Sequence, residues 1–441
     1  MAALPGLADS LTPLEDTSDG PKSQEVVIPA NHEWRVESPP DTKLVIKVKS
    51  GIAEIFGIEL ALEQNYTFQG MNFALFAVEM VELQYSCLDF PKTTISDDTN
   101  MKYIYNLHFS FEKMRISSFD GPKVLIVGDS CSGKTSLAKI LCSYALKIKS
   151  YQPVLVNLNP QEGVYSAPGC ISATPISDII DVTTPTWGQS MTSGATKLHC
   201  KQPIVKSFGL ENISDNKHLY KTLVQDLGQV LLERLQNDPV VRRSGFIIDT
   251  PPVSQLLDDL ELFKLIVKTF KVNAIVVCAT TDDLAIKIDE ILKTQTITIV
   301  RLPQSSGVVA VDDVHKRFLQ RNAIKEYFYG DHNVTLSPYV AGVDFDMVTV
   351  WQPPSILENH ESDPTDLLPV EVNSSNLQHA LIAITYAPRR ASKDEVLHSP
   401  ILGFGLIMEV NDVRKKLRIL LPVPGNLPDK AMILTAYRYL E

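Results

Sequence analysis

One stretch decides the fold of this chain: Gly128-Asp129-Ser130-Cys131-Ser132-Gly133-Lys134-Thr135. It fits the pattern G-x-x-x-x-G-K-[ST], in which the glycines allow a tight turn and successive backbone N–H groups point at one phosphate. The apolar run 123–127 before it predicts a buried strand, and the segment 135–141 after it predicts a helix whose positive end faces that phosphate. This setting predicts a nucleotide-binding P-loop rather than a glycine-rich turn without a ligand.

The chemistry expected of the loop follows from its last two residues. Lys134 would reach the β- and γ-phosphates, and Thr135 would ligate Mg²⁺. P-loop proteins usually add a carboxylate at the end of another core strand, and Asp249 ends the apolar run 246–249. Asp249 is therefore a Walker B candidate, although an aspartate that caps the next turn would look the same. The run 154–158 leads only into amides, which cannot act as a general base.

Strand-like and helix-like segments alternate on both sides of this loop. The predicted strands are 123–127, 154–158, 246–249, 274–278 and 296–300, and 219–235 is a predicted helix. Such alternation implies a parallel sheet covered by helices on both faces, with the ligand at the carboxyl ends of the strands. We therefore expect an α/β P-loop NTPase core over residues 100–324, which a helix-period stretch at 100–114 introduces.

The flanking regions have a different pattern. Residues 1–22 are rich in Pro, Ser, Asp and Gly and predict a mobile tail. Over 23–99, short alternating runs separated by turn residues predict an all-β sandwich, of which 43–49 is the clearest strand. From 325 to 441 the β pattern returns, with candidate strands at 347–351, 380–386 and 402–408. The fold class is thus a P-loop core between an N-terminal β-sandwich and a C-terminal β-rich domain.

Composition and charge exclude several classes of protein. The 441 residues carry a formal net charge of -11, which argues against a broad nucleic-acid-binding surface. Two basic clusters, 242–243 and 414–418, are interpreted as solvated surface rather than as a groove for nucleic acid. No apolar run approaches the roughly 18 residues of a membrane helix, and the start lacks a basic signal region, so we expect an intracellular protein. Six cysteines without a C-x-x-C pair predict reduced thiols.

The base of the nucleotide can also be predicted. GTP-specific P-loop proteins commonly read guanine with an [NT]-K-x-D loop, and none follows the run 274–278. ATP is therefore the expected nucleotide.

Longer strings connect the chain to a known family. They are 51–60 (GIAEIFGIEL), 101–108 (MKYIYNLH), 168–176 (PGCISATPI), 324–330 (IKEYFYG) and 399–404 (SPILGF). With these strings and its domain layout, the chain resembles the P-loop subunit of cleavage factor IA, which acts in pre-mRNA 3′-end cleavage and polyadenylation. That family includes the animal RNA 5′-hydroxyl kinases. The resemblance implies a nuclear protein whose partners are the cleavage-factor subunit that binds the RNA polymerase II C-terminal domain and other 3′-end processing subunits. RNA contact would be indirect.

The resemblance also implies the residues that bind ATP. They are Glu33 in the N-terminal domain and Cys131, Ser132, Gly133, Lys134, Thr135 and Ser136 in the loop. Glu33 would accept a hydrogen bond from the adenine amino group. The family has a lysine as a second N-terminal contact, but this chain has Asn72 there, so that contact is weaker or absent.

Departures from the kinase motifs concern catalysis. The acidic D-x-G-Q motif of active members aligns with 159–162 (NPQE), and their RNA-clamping tryptophan aligns with Val253. The lid arginines align with Val311, Lys316 and Gln320, although Arg317 remains nearby. Losing a positioned base costs roughly 10² to 10⁴ in rate, and losing a lid arginine costs roughly 10³ to 10⁵. We therefore expect an inactive member of the kinase family, an ATP-binding scaffold with no catalytic residues.

Two alternatives stay open at this point. The first is an active RNA 5′-hydroxyl kinase that uses Asp249 as the base and Arg317 or Lys316 in the lid. The second is a slow ATPase switch in which Asp249 acts with a water nucleophile.

Overall fold

A computed structural model of the chain describes residues 21–149, 151–184, 203–293, 296–331, 334–354 and 367–439. Residues 1–20 of the expected tail lie outside this description, and the first strand already begins at Lys22. Within the described ranges, no helix has the length and apolar content to cross a lipid bilayer. Five of the six cysteines are described and carry free thiols, and Cys200 lies outside the described ranges.

The N-terminal domain is a sandwich of two antiparallel sheets, as predicted. Its strands are β1 Lys22–Ile28, β2 Glu33–Glu37, β3 Lys43–Ser50, β4 Ala53–Ile55, β5 Ile58–Glu59, β6 Asn65–Gln69, β7 Phe73–Ala77, β8 Val81–Cys87 and β9 Lys92–Ser96. One sheet has the order β1-β8-β3-β6 and the other β5-β4-β7-β2-β9. Strand β3 shows why the sandwich forms: Leu44, Ile46 and Val48 alternate with more exposed residues and are buried between the sheets.

The central domain is built on a seven-stranded sheet with the order β13-β12-β11-β14-β10-β15-β16. Its elements are α1 Met101–Ser117, β10 Lys123–Gly128, α2 Lys134–Lys149, β11 Val154–Asn157, β12 Cys170–Pro175, β13 Ile204–Ser207, α3 Lys217–Asn237, α4 Pro239–Ser244, β14 Phe246–Asp249, α5 Val253–Leu257, α6 Leu260–Thr269, β15 Ala274–Ala279, α7 Asp283–Ile291, β16 Thr298–Pro303 and α8 Asp313–Tyr329. Five strands pair in parallel, as expected, but β12 pairs antiparallel with β11 and β13 pairs antiparallel with β12, so β12 runs against the other six strands. Strand β12 returns from β11 through a loop without a crossover helix, which permits only the antiparallel direction.

The C-terminal domain is one seven-stranded sheet with the order β17-β22-β21-β20-β23-β18-β19. Its elements are β17 Tyr339–Asp344, β18 Val350–Gln352, β19 Leu368–Pro369, α9 Ser374–Leu377, β20 Ala380–Pro388, α10 Lys393–His398, β21 Ile401–Asn411, β22 Lys416–Leu421 and β23 Lys430–Arg438. The strand predicted at 347–351 begins only at Val350, because Phe345–Met347 forms a 3₁₀ turn. The expected domain boundary at 324/325 falls inside α8.

Helices α1 and α2 join the sandwich to the central sheet. Glu54 on β4 accepts hydrogen bonds from the Tyr144 hydroxyl at 2.7 Å and from the Lys147 ammonium at 2.9 Å, both on α2. On α1, Arg115 is 1% exposed, forms an ion pair with Glu112 at 2.6 Å and donates to a carbonyl at the end of α4. Polar contacts therefore reinforce the apolar packing between these elements.

Helix α8 touches all three domains. Near its start, His315 Nε2 hydrogen-bonds the carbonyl oxygen of Gly70 in the sandwich at 2.7 Å. At its end, the Tyr327 hydroxyl accepts a hydrogen bond from the backbone N–H of Phe404 on β21 at 2.9 Å. Between these points, Gln320 donates to the carbonyl oxygen of Gln161 in the central domain at 3.1 Å. The helix thus fixes the sandwich, the P-loop core and the C-terminal sheet to one another.

Candidate functional site: a phosphate loop with two carboxylates

The loop between β10 and α2 has the tight turn that the glycine spacing predicts. Cys131 and Gly133 have φ angles of 52° and 84°, in the left-handed region. At Gly128, an added Cβ would lie 2.5 Å from the carbonyl oxygen of Cys278 on β15 and 2.6 Å from Ser132 Oγ. Only glycine fits this close approach, so the loop curls back over the strand end in front of α2.

Several polar groups in this loop are placed to receive an anion. The Lys134 ammonium donates to the carbonyl oxygen of Asp129 at 2.6 Å. The Ser132 hydroxyl is buried and has no hydrogen-bond partner among the described residues. The first N–H groups of α2 add the positive end of a helix. An ammonium, an unpartnered hydroxyl and a helix start fit a nucleotide phosphate, because each donor is already positioned and the helix dipole favours negative charge.

Two carboxylates flank Thr135 at the end of the loop. Its hydroxyl oxygen lies 2.5 Å from Asp249 Oδ2, to which it donates, and 3.2 Å from Glu162 Oε2. Asp249 Oδ1 is buried without a hydrogen-bond partner in the described structure. Burial, together with repulsion from Glu162, raises the pKa of Asp249 to about 6. Hydroxyl and carboxylate oxygens are the ligands that Mg²⁺ prefers, so Thr135, Asp249 and Glu162 fit this ion.

The expectation that the segment after β11 offers only amides is wrong. Glu162 lies five residues beyond the end of β11 and reaches the same edge of the sheet as Asp249. The Asn157 amide places it, because its Nδ2 donates to the carbonyl oxygen of Glu162 at 2.7 Å and its Oδ1 accepts from the N–H of Asn159 at 3.0 Å. The amides therefore shape the loop that carries the acid. The sequence contains this glutamate, but nothing in its pattern shows that the loop folds back.

The cations of the expected lid are already paired. Lys316 and Arg317, on α8, each form an ion pair with Glu211 at 2.8 Å. Arg317 also donates to the side-chain oxygen of Gln320 at 3.0 Å. Val253, at the position of the family's tryptophan, is buried in the core at the start of α5. The one carboxylate of Glu211 thus holds both lid cations.

Glu33 is connected to the loop through intermediate residues. Its carboxylate accepts from the Thr99 hydroxyl at 2.5 Å and pairs with Arg35 at 3.1 Å. Arg35 in turn donates to the Ser306 hydroxyl at 3.0 Å, in the segment 306–308. The far end of this segment reaches the P-loop, since a Cβ on Gly133 would lie 3.9 Å from a Val308 methyl group. The structure therefore brings Glu33 toward the loop side of the central sheet.

The remaining predicted site residues have simpler surroundings. Ser136 is exposed and Cys131 is half-buried, so both side chains border solvent. The Asn72 side chain accepts a hydrogen bond from the backbone N–H of Ser38 at 2.8 Å, which braces the sandwich. Asn72, which the resemblance places at the position of the second N-terminal nucleotide contact, therefore has a structural partner within the sandwich.

Three family models match consecutive parts of the chain. The model described as "mRNA cleavage and polyadenylation factor CLP1 P-loop" matches residues 128–330. "N-terminal beta-sandwich domain of polyadenylation factor" matches 27–118, and "Pre-mRNA cleavage complex II protein Clp1" matches 336–441. The matched ranges follow the three domains of the structure, with α1 included in the N-terminal range.

Similarity to known proteins extends over the whole chain. It is 54% identical over 451 residues to the mRNA cleavage and polyadenylation factor CLP1 of Vanderwaltozyma polyspora, and 52% identical over 446 residues to the protein of that name from Saccharomyces cerevisiae strain S288c. Both alignments cover 100% of each chain. A solved complex of wild-type Clp1p with a Pcf11p segment superposes with a TM-score of 0.90 at 53% identity, covering 95% of this chain and 99% of that one. A second structure with the same values concerns an extended Pcf11p–Clp1p interface and ATP loss in a glycine-to-arginine mutant.

Proposed function

Because this chain belongs to the family of the mRNA cleavage and polyadenylation factor CLP1, we propose that it is an ATP-binding scaffold subunit of cleavage factor IA, in the nucleus. Its principal partner would be a counterpart of Pcf11p, in the role of the cleavage-factor subunit expected to bind the RNA polymerase II C-terminal domain. The solved Clp1p–Pcf11p complex supports this choice of partner. Other subunits of the 3′-end processing machinery would assemble on the same scaffold.

Bound ATP is structural in this proposal. The supporting observation is that the phosphate loop has its binding groups in place, while Lys316 and Arg317, the two lid cations, are both paired with Glu211. A ligand at a hundredfold excess over its Kd adds about 2.7 kcal/mol to the stability of the bound state. That is enough to fix the sandwich, which reaches the loop through Glu33 and the segment 306–308, against the central domain.

Mg²⁺ would accompany the nucleotide. Thr135, Asp249 and Glu162 are the residues that would hold it, and the ion would neutralise phosphate charge. Lys134 and the N–H groups at the start of α2 would bind and orient the phosphates through contacts that do not involve the ion.

The proposal is tested by what the purified protein releases. The chain is prepared without added nucleotide and denatured, and the released nucleotide is identified and quantified. Near-stoichiometric intact ATP is expected. The same preparation, given labelled ATP and 5′-hydroxyl RNA, should transfer no more label than Lys134→Ala does, because the lid cations are engaged by Glu211. Released ADP, or RNA labelling that Lys134→Ala abolishes, would contradict the scaffold.

One observation favours a second candidate, a slow ATPase or an RNA 5′-hydroxyl kinase. Glu162 and Asp249 lie together on Thr135, and Asp249 has a pKa raised to about 6, near the range of a general base. For this candidate, Asp249→Asn should lower phosphate release or RNA labelling by about 10² to 10⁴ without loss of ATP binding. Turnover that is equal in wild type and Asp249→Asn would eliminate it.

The contact of Glu33 with adenine is also part of the proposal. Glu33→Ala is expected to weaken ATP binding about ten- to 150-fold, because one charge-assisted hydrogen bond is worth about 1.5 to 3 kcal/mol. GTP binding should change less, because guanine presents a carbonyl group where adenine presents the amino donor. Titration calorimetry with both nucleotides measures the difference. Glu37→Ala, on the same strand but paired with Lys92 at 2.8 Å, is the matched control. Equal losses for ATP and GTP would show that Glu33 acts only on the fold.

A further inference from the structure

Arg35, on β2 of the sandwich, contacts both the sandwich and the central domain. Its side chain is 13% exposed, and each of its three guanidinium nitrogens has an acceptor. Nε donates to Glu33 Oε2 at 3.1 Å, Nη1 donates to the Ser306 hydroxyl at 3.0 Å, and Nη2 donates to the carbonyl oxygen of Asp98. The Ser306 hydroxyl in turn donates to Asp98 Oδ2 at 2.5 Å. One planar group thus fixes three points of the chain relative to one another.

The Glu33 carboxylate is held through both of its oxygens. Oε2 accepts from Arg35, and Oε1 accepts from the Thr99 hydroxyl at 2.5 Å. Thr99 Oγ1 also accepts from the backbone N–H of Met101, at the start of α1, at 3.2 Å. An ionised carboxylate has about four acceptor positions, so each oxygen keeps one for a further donor. A carboxylate that is already fixed in this way loses little side-chain freedom when it binds an amino group.

The central-domain side of this contact is the segment 306–308. Gly307 packs directly on the guanidinium, since an added Cβ would lie 2.5 Å from Arg35 Nε and 2.9 Å from Arg35 Cζ. The end of the segment borders the phosphate loop, where a Cβ on Gly133 would lie 3.9 Å from a Val308 methyl group. Arg35 therefore joins the Glu33 carboxylate to the same piece of chain that touches the loop.

We propose that Arg35 is a positioning residue for recognition of the base. Docked on the segment 306–308, it holds the Glu33 carboxylate at a fixed place relative to the phosphate loop and thereby contributes to the choice of adenine over guanine. The inference rests on the proposed ATP binding and makes it more specific. Arginine suits this role because its planar fork reaches separate acceptors at once, whereas a lysine ammonium is a single point of charge.

The test compares ATP, GTP and inorganic tripolyphosphate, whose affinities for the full chain stripped of nucleotide are measured by titration calorimetry. Tripolyphosphate has no base and therefore reports on the phosphate loop alone. Arg35→Lys keeps the charge but not the fork, so it should bind ATP about tenfold or more weakly than wild type and tripolyphosphate within about twofold. Its preference for ATP over GTP should fall by a similar factor. Damage to the fold alone would instead lower all three affinities together.

Gly307→Ala tests the same contact from the central domain. Gly307 lies outside the left-handed region, so alanine brings no backbone strain, but its Cβ would displace the guanidinium and break the hydrogen bonds of Arg35. The variant should therefore bind ATP about fivefold or more weakly and keep its affinity for tripolyphosphate. Gly342→Ala, on β17, is the matched control, because no atom of the described structure lies within 4 Å of an added Cβ there.

A double variant examines whether the two residues act through each other. When Arg35→Ala has removed the guanidinium, adding Gly307→Ala should weaken ATP binding by less than about a further twofold. Additive effects, equal losses for ATP and tripolyphosphate, or an Arg35→Lys protein with wild-type ATP affinity would overturn the inference. If the Arg35 variants do not fold, the comparison of Gly307→Ala with Gly342→Ala decides the question. A wild type that binds neither ATP nor tripolyphosphate would overturn the proposed function itself.

Discussion

Replacing Lys134 with alanine should reduce the ATP that the purified chain carries from near-stoichiometric to less than about a tenth. The Lys134 ammonium is largely buried, and its acceptor is a carbonyl of its own loop, so it is ready to exchange that partner for phosphate oxygens. Removing one partner of a buried, charged hydrogen bond costs about 2 to 5 kcal/mol. A loss of about 3 kcal/mol corresponds to more than a hundredfold in affinity.

The consequence should extend beyond the loop. Without bound ATP the variant loses the stabilisation that a saturating ligand provides. Added nucleotide should therefore no longer raise the thermal unfolding temperature of Lys134→Ala. Lys149→Ala is the matched control, because Lys149 is an exposed lysine at the other end of the same helix. It should keep its ATP and its thermal response. Retention of ATP by Lys134→Ala would mean that the nucleotide is not held by this loop.

Replacing Arg115 with alanine should destabilise the folded protein by about 3 to 5 kcal/mol. Arg115 is 1% exposed, pairs with Glu112 at 2.6 Å and donates to the carbonyl oxygen of Ser244 at 2.9 Å. Its guanidinium also lies 5.4 Å from the centre of the Tyr151 ring. Alanine would leave the carboxylate of Glu112 buried without its cation, and one of its oxygens already has no hydrogen-bond partner in the described structure.

Thermal and urea unfolding of the ATP-loaded protein measure this effect. Arg242→Ala supplies the comparison, since Arg242 pairs with Asp120 at 2.5 Å but both side chains are about half exposed. Exposed pairs are worth roughly 0 to 1 kcal/mol, so Arg242→Ala should change stability little. The double variant Glu112→Gln with Arg115→Met should lose less than Arg115→Ala, because no unpaired charge remains. A double variant that is as unstable as the single one would contradict this explanation.

The parts of the fold that could be predicted depend on local patterns. The P-loop, the parallel strands and β3 were predictable because a motif or a regular apolar period marks each of them. Strand β12 was not, since residues 168–176 were used as a family motif and their direction depends on the loop that precedes them. A local apolar pattern or motif marks the predicted elements, whereas the direction of β12 is set by its pairing with β11 across the loop that joins them.

Within the site, charged groups were the hardest to place. Thr135 and Asp249 were predicted and do meet, but Glu162 was given no role in the site and lies 3.2 Å from Thr135. For α1, the expected buried face contained apolar residues only, and Arg115 and Glu112 would normally be assigned to solvent. Their burial depends on Ser244, which is 129 residues away from Arg115 in the chain. No periodic pattern contains that information.

The length of α8 also fixes the distance and the relative orientation between its attachments to the two β domains. Its 17 residues span about 25 Å at 1.5 Å per residue, and its two ends are fastened to Gly70 and Phe404. One inserted residue would turn one attachment about 100° around the axis relative to the other and lengthen the span. A change in the number of residues in this helix would therefore misalign the two β domains.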